Sequence, residues 1–185
     1  MPRAIRRPFT VGDAMIFVAA IAVGTLAIRA TLPDLTTFKA DLNRTPSPGM
    51  RNFLTLQFSL SAIIPYLASL TPAMLIVRLR QPRPGLRRVG RQPGLIACGA
   101  ATVAMAIEAL WIGSLLARGS GFIHGSTVFV GYAQQVSFAV IGGWSALALS
   151  GRWRPESSWI DRSGRFLGIC WIGVTILSWS RYYLT

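Results

Sequence analysis

The sequence predicts an all-α fold, a polytopic transmembrane helix bundle of five spans, four of full length and a short fifth. Three observations carry this. Apolar residues make up 52% of the 185, and they fall in runs of roughly 18 or more, the length that crosses a hydrocarbon core of about 30 Å. Short stretches rich in arginine, proline and glycine separate the runs. Charged residues are only 14% of the chain, against about 25% in ordinary soluble domains. Residues 1–185 read as a single membrane domain.

The first span covers 13–32. It follows Arg3, Arg6, Arg7 and Pro8, and Asp13 stands where a helix N-cap or first-turn acid meets unsatisfied N–H groups. A basic start before an apolar stretch has the outline of a signal peptide. The stretch is long, however, and Ile28-Arg29-Ala30 is a poor cleavage site, so a retained anchor is expected. Within 33–51, Leu35, Phe38 and Leu42 recur at helical spacing between Pro33 and the cluster Pro46-Ser47-Pro48-Gly49. A short amphipathic helix on the membrane surface fits that stripe.

The second span, 52–77, contains Pro65 and Pro72. Each removes a helix hydrogen bond and permits a kink. The basic loop 78–94 leads to the third span, 95–117. A glycine-rich turn leads to the fourth, 127–149, and the polar loop 150–165 to the fifth, 166–180. The apolar part of that last stretch, 166–179, covers about 21 Å at about 1.5 Å per residue. It crosses if Arg165 and Arg181 snorkel and Tyr182 and Tyr183 sit at headgroup level. A helix lying in the interface is the alternative.

Charge sets the expected orientation. The N-terminal segment and loops 78–94 and 150–165 hold thirteen Lys and Arg, the opposite segments six. The positive-inside rule puts the richer side, with the N-terminus, in the cytoplasm of a bacterial inner membrane. Five spans then put the C-terminus outside. The net charge of +13 is explained by these loops, so no nucleic-acid partner is expected. Arg78, Arg80, Arg83, Arg87, Arg88 and Arg91 are candidates for binding anionic lipid headgroups on the cytoplasmic face.

The motif search returns little chemistry. A single histidine, His124, makes no multi-histidine metal site, and Cys98 and Cys170 read as small hydrophobes inside spans. No phosphate-binding, metalloprotease or nucleophile-elbow motif is present. The glycines Gly119, Gly121 and Gly125 make a flexible turn. No cofactor, metal or catalytic residue is expected, and an enzyme is the least favoured class.

Glu108 stands out. It falls near the middle of the third span, where an ionisable group is costly and turns toward protein or a cavity. Ala97, Ala100, Ala101 and Ala104 precede it on a face that admits a close neighbour. The fourth span offers Gly131, Gln135, Ala139, Gly143 and Ala146 on one face. A short connection makes these spans antiparallel neighbours and puts Gln135 at the depth of Glu108. Ser61, with Gln57 and Pro65 on its face, falls at similar depth in the second span. The expected site is a buried polar cluster of Glu108, Gln135, Ser61 and Gln57. It either fastens helices together or changes protonation during transport.

Two end segments carry a resemblance. Arg7-Pro8-Phe9-Thr10-Val11-Gly12-Asp13-Ala14-Met15 resembles the start of certain bacterial multi-pass membrane proteins of unknown role, and Arg154-Pro155-Glu156, Trp159, Asp161-Arg162, Gly164-Arg165 and Leu167-Gly168 resemble their final cytoplasmic stretch. The resemblance implies a bacterial membrane protein and transfers no site residues. The sequence leaves two functional expectations. One is a non-enzymatic protein, structural or an accessory subunit of a membrane assembly, with a protein partner or a second copy. The other is a small proton- or cation-coupled transporter or channel-like oligomer using Glu108.

Overall fold

The computed structural model describes residues 9–31, 35–45, 47–80, 90–118 and 125–179. Among them it is helical throughout, with no strand. Helix α1 is Val11–Thr31. Thr10 caps it: the Thr10 amide donates to Asp13 Oδ2 at 3.0 Å and the Asp13 amide donates back to Thr10 Oγ1 at 3.3 Å. Asp13 is therefore the acid of a reciprocal capping box. Helix α2, Leu35–Arg44, is the amphipathic segment. Its Phe38 stacks on Phe58 with ring centroids 4.2 Å apart.

Helix α3 runs Pro48–Leu79. It starts earlier than its apolar run because Ser47 accepts from the Met50 amide and Pro48, at the first position, loses no bond the helix needs. Helices α4, Pro93–Ala117, and α5, Gly125–Leu149, follow. Gly151, at φ +63°, closes α5. Its left-handed turn lets the Arg152 amide reach back to the Leu147 carbonyl at 3.1 Å.

Helix α6 runs Trp159–Trp179, seven residues ahead of the expected 166. Ser158 caps it, accepting from the Asp161 amide at 3.3 Å. The charges at Asp161, Arg162 and Arg165, read from sequence as loop, form its first turns. Its 21 residues rise about 31 Å at about 1.5 Å each, but the added first turns carry charge, so the apolar part still begins at Phe166. It packs against α3, α4 and α5, with Trp171 wholly buried and Phe166, Ile169 and Ile176 exposed on its other face. By contrast, α1 packs chiefly on α3 and leaves Met15, Val18, Val23 and Leu26 exposed.

Close contacts fix the crossings. Gly164 lies against the backbone of Gly94, where an added Cβ would meet the Gly94 carbonyl oxygen at 2.6 Å. Gly168 similarly faces Ala97 and the Trp144 ring. Gly143 sits on Ile96 and Ala100, which confirms the small-residue contact between α4 and α5 at that level.

Among the described residues, three helices are long and apolar enough to cross a membrane: α1 over Val11–Ala30, α3 over Pro48–Leu79, and α4 over Pro93–Leu115. The chain is a helical membrane protein. Gln134 and Gln135 dilute the apolar character of α5, as Asp161, Arg162 and Arg165 dilute that of α6.

Candidate functional site

The start of α1, the end of α3, the start of α4, the end of α5 and the start of α6 meet at one end of the bundle. Phe9 and Phe17 pack on Trp159, with centroids 5.3 and 6.1 Å away. The Arg80 guanidinium covers Gly12. Trp144 Nε1 donates to the Pro93 carbonyl at 2.9 Å, and the Arg154 amide to that of Arg91 at 3.0 Å.

Within this end, Asp161 is almost wholly buried. Its Oδ1 accepts from the Gly94 amide at 2.9 Å and its Oδ2 from the Glu156 amide at 3.1 Å. A carboxylate of α6 thus serves a free N–H at the start of α4. Arg165 Nε lies 3.3 Å from Oδ2, an ion pair whose N–H is not aligned for a hydrogen bond. Burial pushes the Asp161 carboxyl above its ordinary 3.8, against the pull of those two amides and Arg165.

The basic residues expected to meet lipid divide. Arg78 is buried: its Nε donates to Gln92 Oε1 at 3.1 Å and its NH2 group to Glu156 Oε2 at 3.1 Å. It is held in a structural ion pair rather than presented to headgroups, because Glu156, in the loop before α6, supplies the acid. Arg80 and Arg91 are exposed. Arg83, Arg87 and Arg88 lie outside the described residues, as does His124.

The second cluster lies further along the bundle. Gly143 against Ala100 sets an antiparallel register in which a step of eight residues along each helix brings Gln135 opposite Glu108. The two do line one open cavity of about 560 Å³, with Tyr132, Gln134, Trp111 and Ile112. Glu108 is half-buried and Gln135 exposed. The cavity therefore faces outward from the bundle rather than into its core. Ser61 is buried but does not line it, and the Gln57 side chain lies outside the described residues. Of the expected cluster, Glu108 and Gln135 share one cavity and Ser61 lies apart from it.

No protein-family model, curated protein or solved structure matches this chain. The site is read on its own geometry.

Sequence reasoning missed the polar ladder inside the core. Trp171 Nε1 donates to Thr71 Oγ1 at 3.1 Å, joining α6 to α3. Ser137 Oγ, on α5, lies 2.6 Å from the Trp171 carbonyl and bonds with Thr175 Oγ1. Hydroxyls are weak signals in a sequence because each can bond its own helix. The i, i+4 pair Trp171 and Thr175, facing Ser137, was the available hint. Among the described residues, no group of His, Cys, Asp or Glu is placed to hold a metal ion. Cys98 is buried and Cys170 half-buried, both as free thiols.

Proposed function

We propose that this chain is a five-span protein of the bacterial inner membrane, with its basic end cytoplasmic, and that it is a non-enzymatic structural or accessory subunit. The Glu108 cavity is the surface on which it joins its assembly. One observation carries this reading. A carboxyl and two carboxamides, Glu108, Gln134 and Gln135, line an outward-facing cavity at membrane depth. Polar groups facing hydrocarbon at that depth are costly, and a neighbouring helix that hydrogen-bonds them relieves the cost. Exposed Ile107 and Trp111 beside them supply apolar surface for such a helix.

The test is a photo-reactive amino acid at Ile112, in the cavity wall, compared with one at Val18 on exposed α1. The expected result is a protein adduct from Ile112 in native membranes and only lipid adducts from Val18. Lipid adducts alone from Ile112 would refute the docking role.

The same polar lining favours a second reading. A carboxyl with two carboxamides and the Tyr132 hydroxyl offers oxygen ligands to a cation, in a small cation- or proton-coupled transporter or channel-like oligomer. Flux into proteoliposomes that depends on pH and is lost in Glu108→Gln is its signature.

A further inference from the structure

We propose that the helix seated in the Glu108 cavity belongs to a second copy of this chain, with Glu108 of each copy bonded to Gln135 of the other. This rests on the docking role proposed above. Three features of the cavity carry it.

The first is depth. Every copy enters the membrane in the same orientation, since each carries the same charge bias. A closed pair of copies is then related by a twofold axis along the membrane normal. About such an axis, residue i meets j of the partner, and j meets i, only when both lie at one depth. The contact of Gly143 with Ala100 gives Glu108 and Gln135 that common depth. Few polar pairs on two different helices satisfy this condition.

The second is chemistry. A carboxyl oxygen accepts from a carboxamide N–H in either protonation state, and the Gln135 amide supplies that donor. The face therefore carries its own complement. An unrelated apolar helix would leave the acid unserved in hydrocarbon.

The third is space. Gly131 lines the cavity one turn from Gln135, and a Cβ added there would meet nothing within 4 Å. A partner helix can approach closely at that point. The groove between α1 and α3, of about 580 Å³, is at least as open but almost wholly apolar, with Ala20, Ala68 and Pro72 among its walls. It has nothing with which to select a protein partner over lipid.

The experiment is oxidative cross-linking in native membranes, in full-length chain whose Cys98 and Cys170 are replaced by alanine. Ile112→Cys is expected to give a homodimer, and Val18→Cys none. Adding Glu108→Leu removes both reciprocal bonds and should weaken association by about tenfold, the scale of two interhelical hydrogen bonds in a membrane. The exchange Glu108→Gln with Gln135→Glu restores the complement and should restore the homodimer. If Glu108→Leu does not accumulate, the exchange variant decides alone: recovery supports the pairing and loss overturns it. A homodimer that persists undiminished in folded Glu108→Leu also overturns it. Cross-links from Ile112→Cys only to a different protein would overturn the second copy while leaving the docking role intact. No cross-link to any protein would overturn both.

Discussion

At the scale of single residues, Asp161 contributes most to the basic end. It serves the Gly94 and Glu156 amides while facing Arg165, yet burial raises its carboxyl above 3.8. In the pH window from 3.8 up to that raised value, the folded chain holds a proton that the unfolded chain has released. By linkage, the stability this group contributes is fully present below the window and falls as pH rises through it. Asp161→Asn removes the titration. Thermal unfolding in detergent, scanned from about pH 3.5 to 7, should show the wild type losing stability with rising pH relative to Asp161→Asn. Parallel profiles for the two would count against the assignment. Asp161 was visible in the sequence only as one charge in a polar stretch, because its partners are backbone amides, which leave no trace in residue identity. Glu108 was legible for the opposite reason: a lone carboxylate in an apolar run is conspicuous whatever surrounds it. Its level against Gln135 was legible too, since helical rise and a short connection fix depth. What remained hidden was direction, because a helix apolar on all sides gives no periodic signal of which side meets protein.

At the scale of elements, α6 departs most from its sequence. Three charges precede the apolar stretch, yet Ser158 starts the helix upstream of them, where Asp161 is served by the Gly94 amide of α4 and by Arg165. Its seating depends on glycine where it crosses α4. Gly164→Ala would drive a methyl into the Gly94 carbonyl, with a separation of 2.6 Å before any shift. The neighbour there is backbone, so relief requires the helices to separate, at about 1–3 kcal/mol. Gly173→Ala, on the same helix but with nothing within 4 Å, should leave stability unchanged within about 0.5 kcal/mol or raise it slightly, since alanine favours helix. Chemical or thermal denaturation of the two variants side by side checks the contrast. Equal losses would mean that helix content rather than the crossing controls stability. The other helices were placed well by their apolar runs, with starts moved by caps at Thr10 and Ser47 that composition alone does not rank.

At the scale of the whole molecule, the charge bias and the packing agree on which ends belong together. The described residues that flank those segments share one end, joined there through Arg78 and Glu156, Gly94 and Asp161, and Phe9 and Trp159. The five crossings proposed above place the two termini on opposite faces of the membrane. A phosphatase fused at the C-terminus should therefore be active in the periplasm, and a fluorescent protein fused there should stay dark. The reverse pattern would reduce the crossings to four. The helical membrane character was readable because the alternation of apolar runs and arginine is a property of the whole chain. The packing of α6 against three other helices was not, since that is decided by which helices its buried face can serve.

The polar ladder also bears on how the bundle is made. Synthesis proceeds from the N-terminus, so Thr71 and Ser137 enter the bilayer before the helix that will join them. In the finished fold Thr71 Oγ1 also reaches the Leu67 carbonyl at 2.7 Å, and Ser137 Oγ the Ala133 carbonyl at 2.8 Å. Each hydroxyl can wait on its own helix with its hydrogen bond made, at no cost to the surrounding lipid. When α6 arrives, carrying the Trp171 indole N–H and the Thr175 hydroxyl, it finds acceptors that were never left bare. The chain can thus pause after α5 without exposing an unserved polar group from the ladder, and α6 inserts as a keystone.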